Sequence, residues 1–170
     1  MMENIRKYAE LFDLIHSSFD GAQLGKKVSQ KMFYFFERKG IALNLRYGIH
    51  YYGPYSSKLD NALHILESED YIKINTNGVT HVISIGKKKV SNVLTNEEKD
   101  IAKSVIDSFA HKSPLELEAL ATMDYIANSM NCTTKDQIIS TFKAIKGDKF
   151  NGAIINKTYN ELKRLDLISA

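Results

Sequence analysis

Apolar residues recur at helical spacing through most of the chain. Between positions 4 and 18 they fall at Ile5, Tyr8, Ala9, Leu11, Phe12 and Ile15, which predicts an amphipathic helix ended by Asp20-Gly21. Val28, Met32, Phe35 and Phe36 share one face, widened by Phe33 and Tyr34. They predict a helix from about Lys26 to Arg38, stopped by Gly40 and more deeply buried than the others. The period then changes. Leu43, Leu45, Tyr47 and Ile49 alternate with other residues, as in a short strand or extended segment. That segment enters RYGIHYYGPYSSKL, Arg46 to Leu59. Gly53-Pro54 predicts a turn there, because Pro fixes its own φ and Gly admits φ > 0. Ser57 with Asp60 three residues on predicts a helix N-terminus, and Leu59, Ala62, Leu63 and Leu66 line the face of that helix.

Beyond it, Tyr71 to Ile74 and Val79 to Ile85 are β-branched runs separated by Asn75-Thr76-Asn77-Gly78, which predicts a hairpin. A polar stretch from Gly86 to Asn96 marks a boundary. Thr95 with Glu98, Ser113 with Pro114 and Glu116, and Thr134 then open three helices. A fourth runs from about Ala153 to Arg164. Leu66 to Ile72 and Leu162 to Ile168 share the pattern L-x-x-x-D-[YL]-I, a common local way of ending a helix.

The order helix, helix, short strand, helix, hairpin is that of a winged helix. The predicted fold class is therefore α+β and mostly helical. A winged-helix-like unit, residues 1–90 with three helices and a β-hairpin wing, packs on a helical unit, residues 91–170.

Charge changes this picture a little. The 170-residue chain carries a net +3. Seven of its basic residues lie between Lys26 and Lys58 against one acid, Glu37. Such a cluster suits phosphate contacts, and it equally suits a solvated surface. The third predicted helix would be the recognition helix of a DNA reader, with Lys58 and Asn61 reaching bases or phosphates. Asp60 and Glu67 on the same helix would repel phosphates.

Candidate chemistry is sparse. No His pair has metal-ligand spacing, and Cys132 has no Cys partner. No metal or other cofactor is expected. Gly25-Lys26-Lys27 lacks the upstream glycine and the preceding strand of a phosphate loop. His50 with Tyr51, Tyr52 and Tyr55 offers a base and phenols, but the stretch holds no carboxylate or nucleophile to work with them. One cysteine suits a reducing cytoplasm. No apolar run reaches the roughly 18 residues of a membrane span. The N-terminus is expected to be a helix start rather than a signal peptide.

The segments Gln30-Lys31-Met32-Phe33-Tyr34, Tyr52-Gly53-Pro54-Tyr55-Ser56, Ser113–Leu120 (SPLELEAL) and Lys146–Phe150 (K-x-x-K-F) resemble the YwgA-like bacterial proteins. These are distantly similar to the Panacea-type, SocA-like antitoxin domains. Val28 stands where Panacea-type domains usually have lysine. The resemblance spans about Gly25 to Ile168 and implies an antitoxin-like or defence-linked role, without an established activity.

The expected function is a non-enzymatic regulatory or interaction protein that binds a protein partner or DNA. Its candidate binding residues are Lys26, Lys27, Lys31, Arg46, His50, Tyr51, Tyr52, Tyr55, Lys58 and Asn61. The alternatives are a winged-helix transcriptional regulator and an enzyme using His50 and Tyr52. A homodimer is a further expectation, because the apolar faces carrying Phe33 and Phe36 and those of the C-terminal helices are wide for one core to cover.

Overall fold

A computed structural model describes residues 2–18, 24–76 and 78–169. The expected stop at Asp20-Gly21 and Asn77 of the expected hairpin turn lie outside them. The fold is α+β and mostly helical. In order come α1 (Met2–Ser18), α2 (Lys26–Arg38), β1 (Gly48–His50), β2 (Gly53–Tyr55), α3 (Ser57–Ser68), β3 (Ile72–Thr76), β4 (His81–Ile85), α4 (Asn96–Phe109), α5 (Pro114–Ser129), α6 (Lys135–Lys146) and α7 (Gly152–Arg164). A 3-10 turn, Gly147–Lys149, follows α6.

The chain divides into two compact units. One holds residues up to Tyr47 together with Ser56–Lys112; the other holds Gly48–Tyr55 together with Ser113 onward. This grouping and the expected division at 90/91 differ in two elements. Helix α4 packs with α1 and α2, and the β1–β2 hairpin packs with α5.

In the first unit, the aromatic stripe of α2 makes the core. All positions from Val28 to Phe36 are buried. Phe33 meets Tyr8 edge-on and tilts against Phe12, and Phe35 stacks on Phe109 with centroids 3.9 Å apart. Phe33 and Phe36, expected to leave an apolar face for a second copy, are fully buried. The β3–β4 ladder pairs Ile72 with Ile85 and Thr76 with His81. An isolated two-stranded hairpin is marginal in water. This one is supported by the segment before α2, where Ile83 N–H donates to the Leu24 carbonyl at 2.7 Å.

Glu10 fastens the polar stretch before α4. Its buried carboxylate accepts the N–H groups of Asn92, Val93 and Leu94 at 3.2, 2.8 and 2.9 Å, and Lys99 stands 3.6 Å away. Tyr8 donates to the Leu43 carbonyl at 2.8 Å. Burial, with the Glu37 charge second, pushes its phenol up to about 12.

Helices α4, α5 and α6 start where their caps predict. Thr95/Glu98, Ser113/Glu116 and Thr134/Gln137 each form a reciprocal capping box. The two copies of L-x-x-x-D-[YL]-I end their helices in one geometry. Asp70 and Asp166 are left-handed, at φ 58° and 53°. Tyr71 N–H donates to the Leu66 carbonyl, and Leu167 N–H to that of Leu162, at 2.9 and 3.0 Å. This is the six-to-one closure of a Schellman motif, with aspartate at the usual glycine position.

Two expectations at the corner are corrected. The turn is not centred on Gly53-Pro54. The ladder pairs Gly48 with Tyr55, Ile49 with Pro54 and His50 with Gly53, so Tyr51-Tyr52 forms the two-residue loop. The closing pair of such a hairpin exchanges hydrogen bonds and the next pair does not, so Pro54 sits where its missing N–H costs nothing. The cap of α3 is Ser56 rather than Ser57. Its hydroxyl accepts from Leu59 N–H at 3.1 Å. Ser56 is buried and already held by its backbone, whereas Ser57 is exposed.

Candidate functional site

In the first unit α2 holds Tyr47 and Ser56. The Gln30 side chain accepts from Ser56 N–H at 2.9 Å and donates to the Ser56 carbonyl at 3.0 Å. Tyr47 donates its hydroxyl to the Gln30 carbonyl at 3.2 Å, with its ring edge-on to Tyr34. Burial first, and Glu37 second, hold the Tyr47 phenol well above its usual value. Ile41, Leu43 and Leu45 are fully buried between exposed Ala42, Asn44 and Arg46. The alternation is real, but a strand forms only at its end, where β1 holds Ile49. Asn44 and Arg46 are left-handed, at φ 55° and 54°. Asparagine tolerates that region; for arginine it costs about 1–2 kcal/mol. The conformation is held by Glu37, which accepts from Leu45 N–H at 3.0 Å, and by the Ser56 hydroxyl, which donates to the Leu45 carbonyl at 2.5 Å.

In the second unit the hairpin loop meets a buried ion cluster. Lys146, at the end of α6, donates to the Tyr51 carbonyl at 2.7 Å and to Glu118 Oε1 at 2.6 Å. Lys149, one turn on, donates to both Glu118 oxygens at 2.8 and 2.9 Å. The side chains of Lys146 and Glu118 are 2% and 9% exposed, and that of Lys149 is 27% exposed. Lys149 Nζ also lies 5.3, 5.1 and 6.0 Å from the ring centroids of Tyr51, Tyr52 and Phe150. Burial lowers the Lys146 ammonium below its ordinary value, and repulsion from Lys149 adds to this against the pull of Glu118. Burial pushes the Glu118 carboxyl up, but its bonds to the two lysines outweigh this and leave it below the usual carboxylate value.

The result is a rigid base under two exposed rings. Tyr51 is 75% and Tyr52 44% exposed, and they stand edge-to-face with centroids 4.8 Å apart. Fixed aromatic rings beside a cation can bind a partner with little loss of side-chain entropy.

The residues predicted to form the site divide between the units. His50, Tyr51, Tyr52 and Tyr55 lie in the second, where the exposed His50 tilts against Tyr55 at 4.9 Å. Lys26, Lys27, Lys31, Arg46, Lys58 and Asn61 lie in the first. Lys31 is buried in α2. Lys26 stands 3.5 Å from Asp60, and Lys58 donates to the Asn44 carbonyl at 2.9 Å. Lys27, Arg46 and Asn61 are exposed. Cys132 is half-buried, with Sγ 3.5 Å from Thr141 Oγ1. Among the described residues no group of three or more His, Cys, Asp or Glu could hold a metal ion, and no helix is long and apolar enough to cross a membrane.

Sequence reasoning missed Glu118, Lys146 and Lys149 as site residues. Their only signal in the sequence was their place in two segments, SPLELEAL, which holds Glu118, and K-x-x-K-F, which holds both lysines. The structure brings these two segments onto the Tyr51-Tyr52 loop, beside Y-G-P-Y. The class defined by fold and site is a mostly helical α+β protein with an aromatic corner seated on an ion cluster. The chain matches no family model and no curated protein.

Proposed function

We propose that this is a non-enzymatic regulatory or interaction protein that binds a protein partner through the Tyr51-Tyr52 corner. One observation carries the reading: two neighbouring tyrosines are exposed, yet their backbone and rings are held by Lys146 and Lys149. Tyrosines of this kind are enriched among the residues that dominate binding energy. The first unit is read as winged-helix-like, with α3 in the recognition position and β3–β4 as the wing, and such units serve protein binding as well as DNA binding. The chain is read as a cytoplasmic, YwgA-like protein with an antitoxin-like or defence-linked role, on the resemblance of its four segments.

Tagged full-length protein, recovered from its own host, should retain a stoichiometric partner that Tyr51→Ala with Tyr52→Ala releases. Retention by the folded double variant would sink the reading. The DNA-binding regulator remains the competitor because Lys58 and Asn61 are exposed on α3. It requires a duplex affinity that falls steeply with salt. Lys26 beside Asp60 and Lys58 on a backbone carbonyl leave that helix few cations for phosphates.

A further inference from the structure

The ion cluster beneath the corner is unbalanced. Two ammonium groups, Lys146 and Lys149, share the single carboxylate of Glu118. Among the described residues neither lysine has another carboxylate partner, and Asp148, exposed between them in the turn, pairs with neither. Lys146 has no route to relief. Its ammonium is enclosed and already bonded to Glu118 and to the Tyr51 carbonyl. Lys149 differs, because it is part-exposed and reaches the surface beside the two open tyrosine rings. A part-buried surplus positive charge is screened less than a surface one, so a complementary anion there gains more than at an ordinary surface lysine.

We propose that the Tyr51-Tyr52 corner takes an acidic peptide segment of a protein partner, with a partner carboxylate completing the cluster at Lys149. The carboxylate would accept a hydrogen bond from the Lys149 N–H that Glu118 leaves unused, and the tyrosine rings would cover the aliphatic or aromatic residue beside it. This rests on the reading of the corner as a docking surface and names the chemistry of its occupant. A nucleic acid is the less suitable occupant, since a strand of phosphates needs a track of cations, whereas the cluster offers one surplus charge.

The test is an NMR titration of the full chain, following the backbone amides of residues 48–55 and 146–150. The probes are the capped peptide Glu-Glu-Tyr-Glu-Glu, its Gln-Gln-Tyr-Gln-Gln counterpart and an eight-residue oligothymidylate. The acidic peptide should shift these amides and bind at least about threefold tighter than the neutral one. Lys149→Met should abolish that preference, and Lys149→Arg should retain it. Circular dichroism of each variant reports whether it folds, and the wild-type comparison of the two peptides stands without any variant. Equal response to both peptides, no response, or a stronger response to oligothymidylate overturns the proposal. Failure here while the double tyrosine variant still releases its partner leaves the docking surface standing and removes only the carboxylate. Retention of the partner by that variant removes the surface itself.

Discussion

Gln30 shows how much of this structure hangs on single buried polar groups. Its amide satisfies both the N–H and the carbonyl of Ser56, where the hairpin hands over to α3. Gln30→Leu keeps the apolar volume and leaves both groups unpaired inside. It should lower the unfolding free energy by about 2–5 kcal/mol in a denaturant titration. Glu118 is the second case. Its carboxyl lies below the ordinary value, so its ionised form contributes stability that is present above 4.5 and lost as the pH falls through its lowered folded value. Lys146 acts in the opposite sense. Its lowered value is a cost at neutral pH, relieved only as the pH rises toward 10.5. Glu118→Gln should therefore be less stable than wild type at pH 7, by about 3 kcal/mol, with the gap in thermal midpoint narrowing below 4.5. A gap constant across the acid range would contradict this. None of these residues announced its role locally. Glu118, Lys146 and Lys149 are ordinary helix-surface letters until the fold brings positions 28 and 31 residues apart into contact.

At the scale of elements, helices were legible because their ends carry chemistry of their own. The three capping boxes and the stripe of α2 needed no tertiary information. The corner was misread because Gly-Pro is a stronger local turn signal than Tyr-Tyr. The ladder from Gly48 to Tyr55 and the anchoring of Ser56 decided the register instead. Likewise, alternation from Leu43 to Ile49 predicts a short strand or extended segment; only Gly48–His50 forms a strand, and left-handed Asn44 and Arg46 keep the burial pattern before it without the ladder. The left-handed helix ends give a graded test. Asp70→Gly should raise stability by about 0.5–1 kcal/mol, since glycine enters that region without the penalty of a Cβ. Gly86→Ala should do the reverse and more strongly. A Cβ there would stand 2.1 Å from the Asp70 carbonyl oxygen, a backbone atom that the following hairpin holds in place. A loss of about 2 kcal/mol or more, with weakened amide protection in β3 and β4, is the expected outcome.

For the whole molecule, the informative fact is which segments come together. The segments Gln30–Tyr34, Tyr52–Ser56, Ser113–Leu120 and Lys146–Phe150 are scattered along the chain. In the first unit Gln30 bonds both backbone groups of Ser56; in the second, Glu118, Lys146 and Lys149 support the Tyr51-Tyr52 loop. The α+β, mostly helical class was readable from periodicity; the β1–β2 hairpin before α3 was not. The support for the tyrosines was not, because it depends on long-range contacts that no periodicity encodes. We propose that a protein partner binds at this supported corner. The most direct measurement is calorimetric titration of the co-purified partner into wild-type protein and into folded Tyr51→Ala/Tyr52→Ala protein. The account predicts a loss of affinity of at least about tenfold, the truncation cost of one moderate hot spot. Equal affinities would contradict it.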